Sequence, residues 1–89
     1  MKYADTEILN KTVPYTHLLY VRKYSIFTNS DRLYVIGVNT KDIFHTMGEY
    51  LYRSEVQVKR IDYVVCTQEK IDFWLKEGHK IYEFYDKYN

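Results

Sequence analysis

The chain has 89 residues, thirteen basic against twelve acidic side chains for a formal net charge of +1, and 18% aromatics, eleven of them tyrosine. A chain this short holds one domain with a thin core, because it buries only about 60% of its unfolded surface. Its near-neutral charge lacks the positive field of a duplex-binding protein and the acidity of a nucleic-acid mimic. The lone Cys66 excludes an internal disulfide, and no run approaches the ~20 apolar residues that cross a bilayer, so the sequence predicts a cytoplasmic protein with no membrane segment.

Up to Pro14 the chain is weakly patterned and reads as a loosely ordered N-terminal segment, with one helical turn at residues 5–10. From His17 to Phe27 the β-branched and aromatic content predicts a strand. Alternation places Leu18, Tyr20, Arg22, Tyr24 and Ile26 on one face and Leu19, Val21, Lys23 and Phe27 on the other. Thr28, Asn29, Ser30 and Asp31 make the turn, since Asn, Ser and Asp bond their own backbone there, and Leu33 to Val38 return as the second strand of a hairpin. Asn39 or Thr40 caps a helix to about Arg53, in which Ile43, Phe44, Met47, Tyr50 and Leu51 recur at helical spacing as one buried stripe.

Val56 to Cys66 reads as a long strand whose apolar parity changes between Val58 and Ile61, and a bulge or a break near Lys59 and Arg60 restores consistent facing. Thr67 caps a second helix to about Glu77, with Ile71, Phe73, Trp74 and Leu75 as its apolar set and Gly78 as a left-handed stop. Lys80 to Tyr85 alternates as a final strand, although Ile81, Phe84, Tyr85 and Tyr88 would also suit a helix. The segments Tyr34–Phe44 and Tyr63–Phe73 look alike at an offset of 29 residues, the length of one strand–helix unit. The fold class that follows is α+β: a single domain, order ββαβαβ, arranged as a two-layer sandwich with two helices on one face of a small mixed sheet.

Tests for chemistry return little. His17, His45, His79 and Cys66 fall on four different elements without the close pair a zinc site shows. Cys66 precedes a capped helix whose N-terminus could lower its thiol pKa, yet no signature supplies a base, and a small apolar core residue is the simpler reading. The acids are scattered, and three isolated glycines make no phosphate loop. The sequence therefore predicts no enzyme, no metal and no cofactor.

Two surfaces carry binding character. The first interleaves Tyr20, Arg22 and Tyr24 with Arg32 and, on the third strand, Lys59, Arg60 and Tyr63. Such a mixture on an open sheet either stacks bases and holds phosphates or forms a protein hot spot. The second is Tyr82, Phe84, Tyr85 and Tyr88, an edge-strand group able to add a partner's strand. Residues with AT-rich codons (Phe, Tyr, Met, Ile, Asn, Lys) number 37 against 9 with GC-rich codons (Gly, Ala, Arg, Pro), the coding of low-GC bacteria and their phages and mobile elements. The first expectation is thus a protein-binding module encoded by such an element, acting in the host cytoplasm as an inhibitor of a host or defence protein. A single-stranded nucleic-acid or RNA binder stands second, and a structural homo-oligomer, in its simplest form a homodimer, third.

Overall fold

A computed structural model describes residues 13–54 and 57–85. The helical turn expected at residues 5–10 and the start of the third strand at Val56 lie outside the described residues. Within them the order is β1 (His17–Ser25), β2 (Ser30–Val38), α1 (Ile43–Arg53), β3 (Val58–Val65), α2 (Gln68–Lys76) and β4 (Ile81–Glu83). One four-stranded sheet runs β3-β1-β2-β4. Strand β1 pairs antiparallel with both β2 and β3, whereas β2 and β4 are parallel. The fold is α+β with the ββαβαβ order read from the sequence.

The β1–β2 hairpin closes at the pair Ser25–Ser30, so the loop is Ile26 to Asn29 and both strands are shifted from the expected ends. Asn29 takes φ 55, a left-handed position that Asn tolerates. The expected bulge is present: Arg22 faces Arg60 but Lys23 faces Val58, leaving Lys59 as the extra residue. That insertion reverses the apolar parity of β3 and brings Val58, Ile61 and Tyr63 to one face.

The cap of α1 is Asp42, whose carboxylate accepts from His45 N at 3.1 Å, and not Asn39 or Thr40. Both expected caps are otherwise engaged. The Asn39 amide donates to the Pro14 carbonyl at 3.0 Å, while the Thr40 hydroxyl accepts from Asp42 N at 2.9 Å and from the Thr46 hydroxyl at 2.7 Å. Thr67 caps α2 as expected, accepting from Lys70 N at 3.2 Å. At the other end Gly78 takes φ 91, with Gly78 N bonded to Leu75 O and His79 N to Trp74 O, the paired bonds of a Schellman stop.

The placement of the two helices corrects the sequence expectation. One core joins Leu19, Val21, Ile36 and Val38 to Ile43 and Tyr50 of α1; the other joins Leu18 and Val35 to Val13, Cys66 and Ile71, with Tyr20 and Trp74 packed against it. Successive residues of a strand point to opposite faces, so α1 and α2 lie on opposite sides of the sheet, giving three layers rather than two. The reason is directional. The β2–α1–β3 connection crosses β1 toward one edge and the β3–α2–β4 connection crosses back to the other, and connections of the same hand running in opposite directions cover opposite faces. The 29-residue likeness holds for the strands only, since the caps Asp42 and Thr67 are 25 residues apart.

Candidate functional site

The three-layer arrangement divides the first surface expected from the sequence. Tyr20 lies beneath α2, its ring 5.3 Å from Trp74 and its hydroxyl accepting the indole N–H at 3.0 Å. Tyr63 is on the α1 face, edge-on to Phe44 at 5.6 Å and His17 at 5.9 Å. Tyr34 is on that face too, 5.8 Å from Tyr82 and beneath Lys23, whose Nζ stands 5.0 Å from both the Tyr34 and Tyr50 rings. No continuous row of open aromatic faces connects these tyrosines, because each is already stacked within its own layer.

What remains together is the end of the sheet at the hairpin loop. Arg22, Tyr24 and Arg60 share the α2 face beyond the reach of that short helix, with Lys59 beside them at the bulge. Arg60 is bonded to Asp62 at 2.9 Å and still exposed. Arg32 lies across the hairpin from Lys23 and borders a polar hollow of about 540 Å³ with His79, Lys80 and Tyr82. The side chains sequence reasoning missed are at the loop itself: Ile26 is 76% exposed and Phe27 95%. They border an open apolar groove of about 580 Å³ with Lys23, Tyr24, Tyr34 and Gln57. Tyr24 braces the loop by donating its hydroxyl to the Asn29 side chain. High strand propensity drew Ile26 and Phe27 into the expected strand; they fall outside it because the β1–β2 pairing closes at Ser25 and Ser30.

The second expected surface also divides. Tyr88 lies outside the described residues. β4 is an edge strand, as expected, with Ile81 packed against the α2-side core. Phe84 anchors on the opposite side, edge-on to Tyr50 at 5.1 Å. Tyr82 and Tyr85 stay exposed, and Tyr85 and Tyr15 both donate their hydroxyls to the Glu83 carboxylate at 2.7 Å. These two bonds hold the Glu83 carboxyl below its ordinary range, and burial followed by the Glu83 bond pushes Tyr15 up to about 12.

Two further departures concern the helices. Phe44 and Leu51, expected in the buried stripe of α1, are 70% and 44% exposed, while Ile43 and Tyr50 are buried. The five apolar residues span a wider arc than a helix buries against one sheet, so Phe44 and Leu51 fall on its flank. In α2, likewise, Phe73 and Leu75 face outward while Ile71 is buried.

Cys66 is buried, and that burial pushes its thiol up to about 11, against the activation considered from its position before α2. Near pH 8 its alkylation by iodoacetamide should be at least tenfold slower in the folded protein than after denaturation, read by mass spectrometry. Among the described residues no three His, Cys, Asp or Glu side chains come together as a metal site.

Half-buried His17 accepts or donates at Thr16 Oγ1 over 2.9 Å, and burial lowers its pKa from 6.5. Between the lowered folded value and 6.5 the unfolded chain binds more protons, so stability rises with pH through that window. Chemical denaturation should show the midpoint falling as pH drops below 6.5, with His17→Phe flattening the dependence.

No family model, curated protein or solved structure matches the chain.

Proposed function

We propose that the chain is a non-enzymatic protein-binding module that inserts its β1–β2 loop into an apolar pocket of a partner protein. The observation that carries this reading is the pair Ile26 and Phe27, side by side and 76% and 95% exposed at the closed end of the hairpin. Burying two such side chains in a partner is worth about 3 to 6 kcal/mol before the costs of association. Arg22, Arg32, Lys59 and Arg60 stand exposed on the neighbouring strands against Asp31 and Asp62, so a pocket with an acidic rim complements the loop. The AT-rich coding and small size support a host protein as the partner class and inhibition by occupancy as the mode of action.

A single-stranded nucleic acid is the second reading, favoured by the same basic side chains. It fares worse on geometry, since the bases would need the open aromatic row that Tyr20, Tyr34 and Tyr63 do not supply.

The test replaces Ile26 and Phe27 together by serine. Both side chains are exposed, so the melting temperature should hold within a few degrees. Wild-type protein immobilised against lysate of an AT-rich bacterium should retain one stoichiometric protein, and the double variant should bind that purified protein at least about 30-fold more weakly, the loss of one hot spot. Unchanged affinity would sink the loop as the contact. Binding of a fluorescent oligonucleotide that weakens steeply with salt would move the function to the second reading.

A further inference from the structure

Helix α1 presents an outer row that no packing among the described residues accounts for. Phe44, Gly48 and Tyr52 are spaced four residues apart and lie along one ridge of the helix. Phe44 is 70% exposed and Tyr52 is 87% exposed. Between them, a Cβ added at Gly48 would meet nothing within 4 Å. A glycine inside a helix weakens it relative to alanine, and among the described residues no close approach requires one at that position. The row is also symmetric: an aromatic stands one helical step of four residues, about 6 Å, to either side of the notch.

We propose that α1 is the seam of a homodimer whose twofold axis passes through Gly48. Rotation about that axis lays Phe44 of one copy against Tyr52 of the other, twice, and places the two Gly48 residues at the crossing point. Rows of this spacing interdigitate with helix axes crossing at roughly −50° and about 8 Å apart at the tightest contacts, a separation that a bare glycine at the crossing permits. The row carries no charge, so a second copy meets no like-charge repulsion. Glu49 and Arg53 pair with each other on another side of the helix, at 3.2 Å.

The apolar surface continues from Phe44 onto β3 through its contact with Tyr63, and past Tyr63 to Val65, which is 56% exposed; Leu51 on the same flank of α1 is 44% exposed. With an aromatic contributing roughly 150 to 250 Å² when fully buried, these five side chains offer about 600 Å² per copy. With all five covered, two copies would bury about 1,200 Å², the lower limit for a specific stable interface. This surface is separate from the hairpin loop, so a dimer would carry two loops.

Sedimentation equilibrium from about 1 to 100 µM reads the assembly directly. The native chain should fit a monomer–dimer equilibrium. Gly48→Leu should shift dissociation at least tenfold weaker while its melting temperature, taken in the monomer range, stays level or rises by a few degrees, a combination that a purely structural glycine would not give. Register is checked by oxidative cross-linking in a Cys66→Ser background: Gly48→Cys should link to itself, and Phe44→Cys should link to Tyr52→Cys in a mixture while neither links efficiently alone. A monomer throughout the concentration range overturns the proposal, as does a dimer that Gly48→Leu leaves intact or a different pattern of cross-links.

Discussion

Leu18→Ala and Leu19→Ala, made separately, are each expected to cost about 2 to 5 kcal/mol of stability, a large share of the 5 to 15 kcal/mol that holds a domain together. Both side chains are fully buried at 0% exposure, yet they are neighbours on β1 and belong to different cores, Leu18 with Ile71 and Leu19 with Ile43 and Tyr50. The equality of the two effects is the point. If both helices covered one face, one leucine of the pair would point to solvent and its truncation would fall within about 0.5 kcal/mol of neutral. Urea denaturation followed by tryptophan fluorescence measures both, and a small effect at either position would contradict the three-layer fold.

Gly37→Ala is expected to destabilise by about 1 to 3 kcal/mol, for overpacking rather than lost contact. A Cβ at this position would sit 2.5 Å from ring carbons of Tyr15, which lies flat over the β2 backbone and reaches on to Glu83 of the neighbouring strand. The ring must move, and the hydroxyl that donates to Glu83 moves with it. Two signatures separate this from a general weakening of β2. The Tyr15 phenol, pushed up to about 12 in the native arrangement, should titrate lower, and the Glu83 carboxyl, having lost one of its two donors, should titrate higher. A Tyr15→Ala, Gly37→Ala double variant should cost less than the two single changes added together, because removing the ring removes the clash. Additive costs would mean that Tyr15 is not what Gly37 makes room for.

Much of this architecture is legible in the sequence because its signals are local. The stop at Gly78 needs only a left-handed residue after the last helical turn, and the cap at Thr67 needs only a hydroxyl before it. The bulge at Lys59 was readable from a parity change in eight residues. What could not be read locally is the side of the sheet on which each helix lies. That depends on the order β3-β1-β2-β4, and so on β4 choosing β2 as its neighbour at the far edge. The error passed directly to the candidate site: once α2 covers Leu18 and Tyr20, the tyrosine expected to stack a ligand becomes an acceptor for the Trp74 indole. The exposure of Ile26, Phe27 and Phe44 was hidden for a related reason. Apolar residues score as core in any pattern, and only the finite width of the sheet decides which of them are left outside.

Asn39 and Thr40 teach the same lesson at smaller scale. Either has the side chain for a helix cap, but buried Thr40 is committed to a run of hydroxyls through which Thr46, Thr40 N, Thr16 and the Val38 carbonyl are joined. With buried polar groups satisfied before exposed ones, the cap passes to Asp42, at the surface.

The extra residue at Lys59 has a consequence for how the chain behaves when concentrated. β3 is an outer strand, and an outer strand of eight residues carrying Ile61, Tyr63, Val64 and Val65 is the kind of template on which chains polymerise into cross-β fibres. The bulge kinks that template two residues from its start, and Lys59, Arg60 and Asp62 punctuate it with charge. The opposite border, β4, is only three residues long. Neither margin offers a straight uncharged ladder, so a protein with so much apolar surface is kept from growing edge to edge, and its aromatic side chains remain available for contacts that close rather than propagate.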